Sequence, residues 1–360
     1  MFRVLRSLEV ICMFSTILAV SGMAGAGDWP ELPAENAATR VPAQEWPHRP
    51  GPREVKVYLH YPGGKLEGVN SRTGLMLSLH NWGGTGSIGT ADPEQLAERY
   101  NVVAICVDYL QSGKWVDTGP PYDFGYLQAL DALRALYAVY SGLERLEKPF
   151  ARGRIFSTGG SGGGNVTLMV NKLAPRTFAC ILDMCGMAKL NDDFAYGLPG
   201  GTHINAGYSR DPSSANYLSP DDQEIRFVGH RRHVEVMKRL GNVCKILVIH
   251  GVTDASCPVG DAQEMAANFQ RAGLDVEPHF VTDVDLDGNA LKTTGHALGD
   301  RTQIVFRFGA PYLLPDGPQA LQRKGPSDFE RRDEVRYPTA NGQFVICYTA
   351  GYPVARFEAR

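Results

Sequence analysis

The chain is short of several features, and each shortage excludes a class of protein. Beyond the amino terminus no apolar run is long enough to span a bilayer, so no membrane span is expected in the mature protein. No pair of cysteines has zinc-site spacing, and no period repeats along the 360 residues. No basic stripe interleaved with aromatics appears, and charge of neither sign dominates. With 36 Lys and Arg against 39 Asp and Glu, the net charge of −3 gives no reason to expect nucleic acid as a partner. What remains is an ordinary globular composition, long enough for one large α/β domain or two small ones.

The amino terminus reads as an export signal over residues 1–26. Arg3 and Arg6 form a basic start, Val10 to Val20 an apolar stretch, and Ala24-Gly25-Ala26 a small-x-small cleavage pattern, with Glu9 an awkward charge beside the apolar stretch. The expected location is therefore secreted or periplasmic. Of seven cysteines, six lie beyond this segment: Cys106, Cys180, Cys185, Cys244, Cys257 and Cys347. An oxidising compartment permits disulfides. Cys106, Cys180 and Cys244 nevertheless lie in or beside apolar runs, where cysteine behaves as a small hydrophobe. Buried free thiols are the expectation for most of them.

Residues 27–53, rich in Pro, Ala, Glu and Asn without periodicity, read as a linker or surface strap. Strands are expected at Val55–Tyr61, Leu75–Leu79, Val102–Val107, Ile155–Thr158, Phe178–Leu182, Lys245–His250 and Glu277–Thr282. Helices are expected after Asp92-Pro93, over Leu127–Leu146, from the serine loop to about Leu173, over Asp261–Ala272, and from Gly299 to about Phe308, where Pro311 bars continuation. Unbroken apolar strands alternating with helices imply a mostly parallel sheet with helices on both faces, a three-layer α/β fold over residues 54–314. Residues 187–242 break the alternation and read as a cap over one edge of the sheet, with a charged helix from about Asp221 to Leu240. Residues 315–360 form a carboxy-terminal extension with hairpin-like alternation.

One loop organises the rest. Gly159-Gly160-Ser161-Gly162-Gly163 lies between a β-prone run and a helical pattern, and fits the G-x-S-x-G nucleophile elbow. A serine on so sharp a turn tolerates only very small neighbours two residues away. Such a serine needs a base and an acid, in the chain order Ser, Asp, His, each leaving the end of a strand. Asp254 follows the strand that ends at His250, and His296 sits on the loop before the last helix. One oxyanion donor is the Gly162 N–H. The other is expected from the loop after Leu75–Leu79, at Asn81 or Trp82 within His80-Asn81-Trp82-Gly83-Gly84.

These residues together resemble the α/β-hydrolase superfamily, from about Val55 to Leu314. Gly159-x-Ser161-x-Gly163-Gly164 and His250-Gly-x-x-Asp254-x-x-x-Pro258-Val259 look like its prolyl-oligopeptidase branch, which includes secreted peptidases and carbohydrate acyl esterases. The resemblance implies Ser161 as nucleophile, Asp254 as acid and His296 as base, with no cofactor and no metal. Gly162 stands where the peptidases usually carry Tyr or another larger residue. Neither their β-propeller nor a paired acidic site for a substrate amino terminus is visible, which favours an esterase.

Other motifs carry less. Asp283-x-Asp285-x-Asp287-Gly288 copies the start of a calcium loop, but Thr294 occupies its twelfth position, and a solvated acidic turn is the simpler account. His230 and His233 fall on a charged helix at a spacing of three, unlike a helical zinc pair, and His250 reads as structural. Trp115, Tyr122, Tyr196, Tyr208 and Tyr217 offer either an aromatic platform or packing for the cap. The sequence thus points to an exported serine hydrolase acting on a small-molecule or glycan ester. A prolyl-oligopeptidase-type peptidase and a non-catalytic binding protein are the alternatives.

Overall fold

Strands buried on both faces need cover on both, and the chain supplies it by alternating strand and helix. The computed structural model describes residues 29–114 and 119–360, so the expected signal segment and Trp115 lie outside the described residues. The main sheet comprises β1 (Ala37–Ala43), β2 (Arg53–His60), β3 (Gly74–Leu79), β4 (Val102–Asp108), β5 (Ile155–Gly160), β6 (Cys180–Met184), β7 (Lys245–Gly251) and β8 (Val276–Val281). Their spatial order is β1-β2-β4-β3-β5-β6-β7-β8. The pairs β1–β2 and β2–β4 are antiparallel, and every pairing from β4 through β3 to β8 is parallel. In β3, β5 and β6 every residue is buried, which is what an uninterrupted apolar run requires of a central strand. Pro278 lies in β8 at the sheet's margin, where a missing N–H costs no ladder bond.

Two helices, α1 (Pro93–Tyr100) and α8 (Arg301–Leu313), cover one face; α2 (Tyr126–Arg145), α3 (Gly162–Leu173), α6 (Arg231–Arg239) and α7 (Val259–Arg271) cover the other. This is the three-layer α/β fold. Asp92 starts α1 by accepting the N–H groups of Glu94 and Gln95, with Pro93 at the first helical position. No helix among the described residues is long and apolar enough to cross a membrane. All six described cysteines are free thiols, five of them buried.

The fold departs from the sequence expectations in four places. The strap contains a strand, since β1 pairs antiparallel with β2 along the sheet edge. An edge strand held by main-chain bonds needs little apolar periodicity to announce it. Pro311 lies inside α8, which continues to Leu313, because proline near a helix end forfeits only one bond. The single helix expected over Asp221–Leu240 is two, α5 (Pro220–Ile225) and α6, broken at Arg226–His230. Finally, the hairpin β10 (Gly342–Cys347) and β11 (Val354–Ala359) gains a third strand, β9 (Glu334–Pro338), preceded by the short helix α9 (Asp328–Arg331). These strands form a separate sheet against the helical layer, where Tyr348 Oη donates to Leu173 O at 3.1 Å.

Within residues 187–242, α6 buries Val234 and Met237 in the main core, whereas Met187, Leu190, Phe194, Ala206 and Leu218 form a separate cluster with Tyr122, Phe124 and Cys257. The helix α4 (Asp192–Tyr196) belongs to this second group. It is this first half of the segment that packs beside the loops at the strand ends.

Arg53 ties the strap edge to the helical layer by a two-pronged ion pair with Asp131 of α2, at 2.7 to 2.9 Å. Asp131 also accepts the Leu110 N–H at 2.9 Å and its side chain is fully buried. Removing it strands both donors. Asp131→Ala is expected to lower unfolding free energy by about 3 kcal/mol, read as a lower urea midpoint at unchanged slope.

Candidate active site

The end of β5 sets the geometry. Ser161 has φ 56° and ψ −122°, a conformation that side chains adopt only when the surroundings hold them there. The restraint is backbone packed on backbone. A Cβ at residue 159 would lie 2.3 Å from Gly163 O, and one at residue 163 would lie 2.1 Å from Leu79 O. Glycine is therefore compelled at both outer positions of the pentapeptide. The Ser161 N–H donates to Met184 O at 2.9 Å, and Ser161 O accepts the Asn165 N–H at 3.0 Å, so strand, turn and helix are joined through this residue.

Three of the sequence-derived residues meet here. His296 Nε2 lies 2.9 Å from Ser161 Oγ, and His296 Nδ1 lies 2.8 Å from Asp254 Oδ2. The other Asp254 oxygen accepts the N–H groups of Ser256 and Cys257, both at 2.8 Å. Burial pushes the Asp254 carboxyl up, but the His296 bond and the Cys257 N–H outweigh it, and its pKa ends below the usual carboxylate range. Asp254 is thus ionised at neutral pH and fixes His296 with Nδ1 as donor, leaving Nε2 to accept from Ser161.

The two loops that carry acid and base are locked to each other. Thr253 N–H donates to Thr294 O at 2.9 Å, and the Thr253 and Thr294 hydroxyls lie 2.8 Å apart. His250 is buried, and burial depresses its pKa. Its Nε2 lies 2.7 Å from Cys257 O, so this neutral ring donates to the acid loop and holds it in place.

The loop after β3, where the sequence places the second oxyanion donor, packs against Gly162. A Cβ on Gly162 would lie 2.7 Å from the Trp82 N and 3.4 Å from Asn81 C, so the Asn81–Trp82 peptide packs directly against Gly162. The Asn81 side chain packs against Gly84 and Gly89 of its own loop, so of the two loop candidates Trp82 is the one beside Gly162. The Trp82 indole stacks on Tyr122 at 3.5 Å and 16°, carrying the loop up to the 187–218 segment. His80, at the base of this loop, is buried, and its pKa is driven down to about 4. Its Nε2 sits 2.7 Å from Ser112 Oγ. A side chain at position 162 has no space unless the loop after β3 shifts.

Two polar residues behind the serine escaped the sequence reading. Asp183, on β6, is fully buried and no hydrogen bond of good geometry reaches either carboxylate oxygen, so burial pushes its pKa up to about 8. The Arg301 guanidinium packs against Gly160, with Nη1 buried and unpaired. The signal for Asp183 was a lone acid in an otherwise apolar strand.

Among the described residues three groups of side chains have the composition of a metal site, and two of them, Cys185–His250–Asp254 and Asp254–Cys257–His296, share residues with the Ser161–His296–Asp254 chain. The third joins Glu224 to His230 and His233, whose nearest nitrogens lie 3.5 and 3.4 Å from Glu224 Oε1. Arg232 donates to that same oxygen at 2.6 Å, and His230 is held down to about 4 by burial and by Lys172. The Arg232 guanidinium on the Glu224 carboxylate opposes a metal ion there. The calcium-like turn uses its carboxylates internally: Asp285 accepts from Thr282 N–H, and Asp287 from Asn289 and Leu291 N–H.

Two predictions follow from the elbow. Gly162→Ala pushes Trp82 N–H away from its neighbour and is expected to lower kcat roughly 100-fold with little change in KM, read by steady-state kinetics on any substrate turned over. Asp183 is neutral when folded up to about pH 8 but ionises near pH 4 when unfolded, so its contribution to stability falls as pH rises through that window. The melting-temperature advantage of Asp183→Asn over the parent is therefore expected to grow from about pH 5 to about pH 8.

Solved structures share this fold. The acylaminoacyl peptidase of Pyrococcus horikoshii matches with a TM-score of 0.52 at 15% identity, over 78% of this chain and 42% of that one. An acylaminoacyl peptidase in complex with Z-Gly-Gly-Phe-chloromethyl ketone matches at 0.53 and 15%, over 81% and 43%. Dipeptidyl peptidase 4 of Porphyromonas gingivalis matches at 0.51 and 15%, over 76% and 35%. The chain spans less than half the length of each. At such identity the likeness is one of fold, the α/β-hydrolase fold as these peptidases carry it. No curated protein matches in sequence. A family described as "Protein of unknown function (DUF2920)" matches residues 116–349, more than half of the chain, and the protein belongs to that family.

Proposed function

We propose that the protein is a serine hydrolase that cleaves a carboxylic ester through an acyl-enzyme. The observation that carries this is the continuous chain Ser161 Oγ–His296–Asp254, at 2.9 and 2.8 Å, on a serine held at φ 56°. Ser161 Oγ attacks the carbonyl carbon while His296 Nε2 takes its proton. Asp254 stabilises the imidazolium that forms. The Gly162 and Trp82 N–H groups receive the negative charge on the carbonyl oxygen. As the tetrahedral species collapses, His296 returns the proton to the departing alkoxide and the acyl group remains on Ser161. Water, deprotonated by the same histidine, then attacks the acyl-enzyme and releases the acid. The cycle uses only this chain's residues and water.

An ester is favoured over an amide by Gly162, which stands where the peptidases of the resembled branch usually carry Tyr or another larger residue. A peptidase is the second reading, favoured by the names of the matched structures. Export of the protein is part of the proposal and rests on the amino-terminal residues Arg3 to Ala26 alone.

Turnover of p-nitrophenyl acetate against an aminoacyl-naphthylamide separates the two chemistries. The expected outcome is ester hydrolysis with kcat falling roughly a million-fold in Ser161→Ala. Faster amide than ester turnover would establish the peptidase. A folded protein inert toward every ester and amide offered would leave a binding role.

A further inference from the structure

A cleft of 630 Å³ opens between the strap and the 109–114 loop, and its charge is at odds with the rest of the protein. Arg40, Arg49, Arg53, Lys56 and Lys114 line it, against the two acids Glu54 and Asp108. In a chain of net charge −3 this is a local reversal of sign. Neutralisation inside the cleft is sparse. Arg53 is paired with Asp131, while Asp108 is occupied by the Gly86 N–H at 2.6 Å and Tyr58 Oη at 2.9 Å. Arg49 lies over the Trp46 ring and Lys56 over Tyr58. Among the described residues no carboxylate ion-pairs with Arg40, Lys56 or Lys114.

Arg40 and Lys56 face each other directly across the β1–β2 ladder. Like charges placed opposite on neighbouring strands repel and destabilise the pair. Lys56 has the Tyr58 ring beside it, but among the described residues no carboxylate ion-pairs with either member of this facing pair, and an external anion would relieve the repulsion.

The cleft also abuts the catalytic loop. Ser112, on its wall, contacts His80, and the Gly113 N–H donates to Gly84 O at 2.9 Å. Thr85, another wall residue, lies three positions after Trp82, whose N–H faces Gly162. Thr85 lies three residues, at most about 11 Å, along the chain from Trp82, and β4 and β3 stand between β2 and β5, so a ligand that fills the cleft and reaches Ser161 is an extended chain.

We propose that this cleft is an anion subsite that binds the carboxylate- or sulfate-bearing sugars of an acidic glycan and presents an ester on it to Ser161. The delivery of an ester rests on the hydrolase reading above; the binding does not. A glycan fits better than an acidic peptide, because β2 is already paired on both sides and leaves no strand edge in the cleft for a peptide to extend. Pro50 and Pro52 in the lining offer no N–H for a peptide to use, whereas the Thr85 hydroxyl suits a sugar hydroxyl.

The test uses the full chain carrying Ser161→Ala, so that binding is read without turnover. In affinity electrophoresis this protein is expected to be retarded by polygalacturonate or chondroitin sulfate, and not by neutral dextran, with retardation weakening as sodium chloride rises. Whichever polymer retards it more identifies the oxoacid. Adding Arg40→Glu and Lys56→Glu is expected to weaken binding at least roughly tenfold. The milder Arg40→Gln and Lys56→Gln pair, checked for a melting temperature no lower than the parent's, is expected to weaken it less. Equal retardation of parent and charge variants, equal retardation by dextran, or stronger binding of poly-glutamate than of either glycan would overturn the proposal. Binding without any turnover by the wild type would instead count against the hydrolase reading and leave the subsite standing.

Discussion

At the end of β5 three pieces of main chain are pressed together with no side chains between them, and the rest of the site depends on that contact. The Gly159 and Gly163 backbones touch each other, and Gly163 rests on the carbonyl of Leu79. This packing forces Ser161 into φ 56° and lifts its hydroxyl clear of the sheet. It also brings the loop after β3 close enough for Trp82 N–H to lie beside Gly162. The proposed nucleophile and the proposed oxyanion donors are therefore positioned by one contact. Strain at the serine is sustained by the fully buried strands β3, β5 and β6 beneath it.

The second requirement is electrostatic. A buried carboxylate must stay ionised to orient a histidine, and Asp254 achieves this with two main-chain donors and His296. Asp183, one strand away and equally buried, lacks such donors and is held neutral. The same residue type thus takes opposite protonation states some residues apart, and the difference lies in which of them faces a turn that offers N–H groups. His250 contributes by donating to Cys257 O, which steadies the turn.

Much of this was legible in the sequence because it lies in chain order at strand ends. Ser161 and Asp254 each follow an apolar run that the eye can find, His296 precedes the last helix on a loop of the expected order, and small residues around the serine had a steric reason. What was not legible depended on contacts across the fold. The choice between Asn81 and Trp82 turns on which part of a glycine-rich loop meets Gly162, and spacing carries no such register. Arg301 gained its position only from the packing of α8 under Gly160. The strand β1 was hidden because an edge strand is held by main-chain bonds that leave no apolar period. The basic cleft was hidden too, since Arg40, Lys56 and Lys114 are far apart in sequence and are gathered by the β1–β2 pairing and the loop after β4.

The claim on which everything else rests is that Ser161 is an activated nucleophile. Reaction with a fluorophosphonate, followed by intact-mass measurement and peptide mapping, tests it most directly. The account predicts a single phosphonyl adduct per chain, located on Ser161 and absent from the His296→Ala protein. A folded wild-type protein that takes up no adduct, or one labelled at another residue, would contradict it.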